Sequence, residues 1–109
     1  MKGDIVFVRF PYTDLSITKP RPALVLHEER DEVVLAYISS RVPLIPSGTD
    51  VLVLRKEPYF GATGLKRDSV IKLSVLTTLK NWFIEGLFGE ADETLRLEIN
   101  AKLASCYRI

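Results

Sequence analysis

Arg21 is the residue whose chemistry stands out first in this sequence. It follows a polar segment and opens an apolar, strand-like run, and Pro20 and Pro22 restrict the backbone on both sides of it. A guanidinium held in this way suits a phosphate group, because its planar fork donates two parallel hydrogen bonds to two oxygens. Lys19 adds positive charge beside it. On residue type alone, a surface salt bridge at the start of a strand is the commoner explanation.

A second polar cluster, Ser39-Ser40-Arg41, follows another apolar run. Side chains alternate between the two faces of a strand, so one of the two serines faces the side where an arginine of a neighbouring strand could lie. A hydroxyl there can donate a hydrogen bond to a phosphoryl oxygen as negative charge builds on it. Taken alone, serines at a strand end more often satisfy backbone groups.

The single histidine, His27, is not favoured as a general base. Along an extended strand it lies roughly 20 Å from Arg21, too far for both to flank one phosphate. A strand-end position beside Glu28 and Glu29 is expected instead. One histidine and one cysteine, Cys106, cannot complete a four-ligand zinc site, and the sequence has no nucleotide-binding loop or serine-hydrolase elbow.

The composition predicts one domain over residues 1–109, with 47% hydrophobic residues to build its core. The net charge of +1 does not indicate nucleic-acid binding, so an RNA partner would require the positive charge to be gathered in one place. A lone cysteine, no apolar leader and no apolar run of about 20 residues indicate a cytoplasmic protein without a membrane partner.

Short β-type segments separated by proline and glycine turns dominate the first three-quarters of the chain. The pattern predicts strands at 5–10, 21–27, 33–40, 50–54 and 69–73, less clearly at 76–79 and 84–88, and a turn at 61–64. The end changes period, because Leu95, Ile99, Leu103 and Cys106 share one helical stripe that Asp92 can cap. The sequence therefore predicts a small, mainly β barrel closed by a C-terminal helix.

Three stretches near the N-terminus together resemble the signature of the MazF/PemK toxins. They are Gly3-Asp4-Ile5-Val6, Phe10-Pro11-Tyr12-Thr13-Asp14 and Lys19-Pro20-Arg21-Pro22-Ala23-Leu24-Val25-Leu26. The resemblance continues at 36–40, 64–71 and 76–79, so it covers nearly the whole chain. The Gly-Asp start joined to the Arg-Pro-x-Leu-Val strand is the more specific part.

This resemblance implies a fold, an activity and partners. The fold is an SH3-like half-open β-barrel of the CcdB/PemK kind, mainly β with a C-terminal helix. The activity is metal-independent cleavage of single-stranded RNA at short motifs, by a homodimer that needs no cofactor. The implied partner is a cognate antitoxin that covers the RNA groove and links the complex to DNA. The implied catalytic residues are Arg21 and Ser39, and the implied RNA-binding residues are Asp14, Ser16, Lys19, Ser40 and Arg41.

The sequence departs from the family pattern at three places. Serine stands at position 39, where threonine is usual. The loop before Arg21 reads Ile-Thr-Lys-Pro at 17–20 instead of being glycine-rich, and Lys80 replaces an acidic residue at the end of 74–80. Serine keeps the hydroxyl of threonine and loses its methyl group. The departure at 74–80 bears mainly on RNA preference and, to a lesser degree, on the activity itself.

RNA carries its own nucleophile, the 2′-hydroxyl, so the protein need only hold the geometry and stabilise charge. Arg21 would stabilise the charge, because a group with a pKa above about 12 is a poor base. The resemblance leaves a role of Arg21 as an acid or base open. Aromatic candidates for stacking on RNA bases are Tyr12, Tyr59, Phe60 and Trp82.

Two other functions fit the same fold. One is a binding toxin like the gyrase poison CcdB, which needs no arginine-hydroxyl pair. The other is an inactive interaction module, which the unusual residues Ser39, Val75 and Lys80 favour.

Overall fold

The protein is a six-stranded antiparallel barrel that stays open along one side, with a helix at its C-terminal end. The computed structural model describes residues 1–10 and 19–109. In chain order the elements are β1 (Asp4–Val8), β2 (Arg21–Glu29), β3 (Glu32–Ser39), β4 (Asp50–Val53), α1 (Phe60–Thr63), β5 (Ser69–Lys80), a 3₁₀ turn (Asn81–Phe83), β6 (Ile84–Glu90) and α2 (Glu93–Cys106). The strand order is β4-β5-β3-β2-β1-β6, with β4 and β6 at the edges. This architecture confirms the predicted SH3-like half-open barrel.

The central strands are buried on both faces, which explains their nearly continuous apolar sequences. In β2 the consecutive residues Ala23, Leu24 and Val25 are all buried. Leu24 belongs to a core cluster that includes Leu95 of α2, whereas Val25 belongs to a second cluster on the opposite face. Such a strand loses the alternation expected of a strand with one face in water.

Strand β5 corrects the prediction of two separate segments at 69–73 and 76–79. Tyr37 pairs with Lys72, but Ala36, the residue before it in β3, pairs with Leu76. Residues 73–75 therefore bulge out of the ladder. Leu73 is fully buried, and its backbone N–H donates to the Thr49 carbonyl at 2.9 Å. The bulge interrupts the alternation of side chains, so the pattern resembled two strands.

The C-terminal helix begins as its sequence predicts. The Asp92 carboxylate accepts a hydrogen bond from the Leu95 N–H at 2.9 Å, and Leu95 and Ile99 are buried. The predicted turn at 61–64 is a single helical turn, which Gly64 ends in the left-handed conformation with φ +73°. No helix within the described residues is long and apolar enough to cross a membrane.

Candidate functional site

An open groove of about 620 Å³ lies at the end of the sheet where β2 begins, β3 ends and β5 begins. Its lining comes from four places in the sequence: residues 19–22, residues 37–41, residues 65–67 with Ser69, and Phe88. These segments are distant in sequence, and the strand order β5-β3-β2 brings three of them side by side.

Arg21 begins β2 and Ser39 ends β3, and both side chains line this groove. The ladder between β2 and β3 pairs Ala23 with Tyr37. This is the last pair of the ladder at that end, and the same register carried two residues further would place Arg21 opposite Ser39. Both residues are partly buried and line the groove, so a guanidinium and a hydroxyl are directed at the same space.

The Ser39 hydroxyl is oriented by the turn that follows β3. Its Oγ accepts a hydrogen bond from the backbone N–H of Arg41 at 3.1 Å. A hydroxyl has one proton to donate and two lone pairs to accept with, so this contact leaves the proton of Ser39 free for a ligand. The backbone role expected of a strand-end serine and the role of a donor in the groove are therefore compatible.

The groove gathers positive charge. Five cationic side chains line it, and no carboxylate occurs among its described lining residues; the cations are Lys19, Arg21, Arg41, Lys66 and Arg67. None of the five takes part in an ion pair with any residue in 1–10 or 19–109. A chain with a net charge of only +1 thus carries a strongly basic surface at one place. We call this surface the basic groove.

Lys72, which lies nearby on β5, is engaged elsewhere. It pairs with Tyr37 across the ladder, but its Nζ lies 3.6 Å from Oδ1 of the buried Asp50. The Asp50 carboxylate also accepts the backbone N–H of Ser47 at 2.9 Å. That hydrogen bond and the charge of Lys72 lower the pKa of Asp50, against the opposing effect of burial. Lys72 therefore stabilises the start of β4.

The structure brings together most of the site residues that the sequence singled out. Arg21, Ser39, Lys19, Ser40 and Arg41 all line the basic groove. Asp14 and Ser16 lie outside the described residues. The sequence analysis missed further lining residues as site residues, among them Tyr37, Lys66 and Arg67. The one available signal was the Lys-Arg pair just before β5, and its proximity to Arg21 depends on the strand order.

Other side chains considered from the sequence lie away from the groove. His27 is exposed near the far end of β2, with Nε2 3.5 Å from Glu29 Oε1, as expected. Tyr59 is a core residue whose hydroxyl donates to the Leu52 carbonyl at 3.2 Å, and Phe60 packs against the same core. Trp82 is exposed but does not line the groove. Tyr12 is not among the described residues.

The described part of the chain has no group of three His, Cys, Asp or Glu side chains placed to hold a metal ion. The chemistry that the basic groove can perform with these residues is binding of an anion and donation of hydrogen bonds to it.

The fold and the site define a small half-open β-barrel protein with an anion-binding groove at the ends of its strands. Residues 1–107 match the family model described as the PemK-like, MazF-like toxin of type II toxin–antitoxin systems. The chain therefore belongs to this toxin family.

Solved structures with the same fold come from mycobacteria and Deinococcus radiodurans. The Mycobacterium tuberculosis toxin MazF-mt6 is 19% identical, with a TM-score of 0.70 over 94% of this chain and 93% of that one. A mycobacterial endoribonuclease in complex with its cognate antitoxin is 16% identical, with a TM-score of 0.72 over 96% and 91%. MazF from Deinococcus radiodurans is 19% identical, with a TM-score of 0.66 over 95% and 92%. No curated protein sequence matches this chain.

Proposed function

We propose that this toxin is an endoribonuclease that cleaves single-stranded RNA at short sequence motifs in the cytoplasm, without a metal ion, and so inhibits translation and growth. The observation that carries the proposal is that Arg21 and Ser39 line the same basic groove, on neighbouring strands. Two structural neighbours from mycobacteria are named endoribonucleases, which is consistent with this activity.

The reaction needs little beyond positioning and charge stabilisation. The 2′-oxygen bonds to phosphorus while the bond from phosphorus to the 5′-oxygen breaks, and the net proton transfer is from the 2′-hydroxyl to the 5′-oxygen. Arg21 stabilises the charge on the non-bridging oxygens, and Ser39 donates a hydrogen bond to one of them. Each such donor contributes roughly 100- to 1000-fold in rate. The products are a 2′,3′-cyclic phosphate and a 5′-hydroxyl.

The shape and charge of the basic groove favour a single strand. Cleavage requires a splayed backbone with accessible bases, which a duplex does not offer. Cations of the 65–67 segment and of the 19–21 segment line the same groove, so neighbouring phosphates of one strand can each meet a positive charge. Lys19, Ser40 and Arg41 supply further contacts to the backbone, and Asp14 and Ser16 are proposed to join them.

The same charge supports a cognate antitoxin as the second partner. An acidic segment of an antitoxin would complement the five cations and exclude RNA from the groove. A mycobacterial neighbour has been solved with its cognate antitoxin. We propose that this chain acts as a homodimer and that the antitoxin links it to DNA.

RNA cleavage in the presence of EDTA tests the proposed function. The purified chain is incubated with an in vitro transcribed messenger RNA of known sequence, and the new ends are sequenced and characterised chemically. Cleavage at a recurrent short motif with cyclic-phosphate ends is expected. An intact transcript would refute the endoribonuclease. Gyrase inhibition by the same preparation would then indicate a CcdB-like binding toxin, and the absence of both activities an inactive interaction module.

A further inference from the structure

One aromatic side chain of the basic groove has no part in the reaction described above. Tyr37 lies two residues before Ser39 on β3, so both side chains are on the same face of the sheet. Tyr37 is partly buried and lines the groove with Arg21 and Ser39. Two residues of a strand span about 6.6 Å, so the ring adjoins the arginine-serine pair.

The surroundings of Tyr37 fix its ring. Its cross-strand partner is Ala23, whose methyl side chain leaves space for a large neighbour. Phe10 packs against it edge-on, with ring centroids 6.3 Å apart and an interplanar angle of 66°. A ring held by such packing loses little conformational freedom when a ligand binds to it.

We propose that Tyr37 stacks on a nucleobase of the RNA, next to the phosphate held by Arg21 and Ser39. The inference rests on the proposed function and adds a binding residue to it. An aromatic face accepts any base, and a cationic groove beside it follows the backbone, which is the combination used by proteins that bind single strands. Tyr37 therefore sets how firmly the nucleotide beside the cleaved bond is held.

Tyr37 also packs against the second core cluster, so the experiment must separate stacking from core packing. Phe83 supplies the matched control, because it is a partly buried aromatic residue against the same cluster that does not line the groove. The variants are Tyr37→Leu, Tyr37→Phe and Phe83→Leu, each checked first by its melting temperature. If Tyr37→Leu does not fold, Tyr37→Met takes its place, since methionine fills irregular space without a ring.

The probe is a labelled single-stranded DNA copy of the motif that the wild-type chain cuts in the messenger RNA. The DNA lacks the 2′-hydroxyl and therefore cannot be cleaved. Loss of one aromatic stacking partner weakens single-strand binding by roughly 5- to 150-fold. We expect this loss for Tyr37→Leu, with the KM for RNA rising in parallel. The dissociation constants of Tyr37→Phe and Phe83→Leu for the probe should remain within about threefold of the wild-type value, because both variants keep an aromatic ring at position 37.

Two results would overturn the assignment while the endoribonuclease stands. Equal binding by Tyr37→Leu and Phe83→Leu would show that the Tyr37 ring is only core packing. A loss in Tyr37→Phe as large as that in Tyr37→Leu would assign the role to the hydroxyl. Failure of the wild-type chain to cut RNA at all would refute the proposed function and this inference with it.

Discussion

Gly64 lies directly against the main chain of Phe88, so close that a Cβ at Gly64 would overlap the Phe88 carbonyl. Gly64 ends α1 with φ +73°, a conformation that L side chains rarely adopt. The contact fixes the start of the segment that carries Leu65, Lys66 and Arg67 against strand β6. One wall of the basic groove therefore depends on a position where any side chain is strained.

Gly64→Ala should lower the free energy of unfolding by roughly 2–4 kcal/mol. The left-handed conformation costs an alanine about 1–2 kcal/mol, and displacing the Phe88 backbone adds an overpacking cost of similar size. Urea denaturation of the purified variant measures the change.

Gly61→Ala is the matched control for this prediction. Gly61 lies inside α1, and a Cβ there meets no atom within 4 Å. Alanine is favoured over glycine in a helix by about 0.5–1 kcal/mol, so this variant should be as stable as the wild type or slightly more stable. Equal stability of the two variants would contradict the contact between Gly64 and Phe88.

Replacing Lys66 or Arg67 by alanine should reduce the salt dependence of RNA binding. Each phosphate contact contributes about −0.7 to the slope of log K against log salt concentration for a single strand. We expect each single variant to flatten the slope by about that amount, measured with the uncleavable DNA copy of the cut motif. The affinity should fall for every sequence tested, because a phosphate contact carries no base information.

The exposed Arg108 near the C-terminus supplies the control of equal charge, since it does not line the basic groove. Arg108→Ala changes the net charge as Arg67→Ala does, and its slope should equal that of the wild type. If both variants flatten the slope equally, binding depends on total charge and not on the basic groove.

The fold was largely predictable from the sequence because its signals are local. Proline and glycine turns mark off the short strands, and the spacing of Leu95 and Ile99 with Asp92 in front marks the helix. The length of β5 was not predictable, because the bulge at 73–75 depends on tertiary contacts. Leu73 is buried there and bonded to Thr49, which is far from it in sequence.

The candidate site was predictable only in the part that lies near Arg21 and Ser39 in sequence. These two residues belong to consecutive strands, whose antiparallel pairing follows from the short turn between them. Lys66 and Arg67 reach the groove because β5 pairs with β3, a long-range pairing that no local pattern specifies. The near-neutral net charge also concealed a cluster of cations that the fold creates.

Asp50→Asn should destabilise the protein at neutral pH and change its response to acid. The Ser47 N–H, which donates to Oδ2, and the charge of Lys72 oppose the cost of burying Asp50 and keep its pKa in the folded state below the usual value, although Oδ1 accepts no hydrogen bond from the described residues. A lowered folded-state pKa gives stability that is present above the unfolded pKa, about 3.9, and is lost as the pH falls through the folded pKa. At pH 7 the variant should lose about 1–3 kcal/mol, and its free energy of unfolding should fall less steeply below about pH 4.

Asp31→Asn is the control for the removal of a carboxylate charge. Asp31 is exposed, and its ion pair with Lys80 at 3.3 Å is a surface contact of the kind worth less than about 1 kcal/mol. At pH 7 its loss in free energy of unfolding should stay below about 1 kcal/mol. An Asp50→Asn variant whose curve from pH 7 to acid matched that of the wild type would show that the buried carboxylate adds no stability.

The rates of RNA cleavage by Arg21→Ala, Ser39→Ala and the double variant test the central claim most directly. If both side chains act on one phosphate, each single variant should lose roughly 100- to 1000-fold, and the double variant should lose much less than the product of the two. Ser39→Thr, which keeps the hydroxyl, should retain activity, and all variants should melt near the wild-type temperature. Full activity of Arg21→Ala, or losses that multiply in the double variant, would contradict the account.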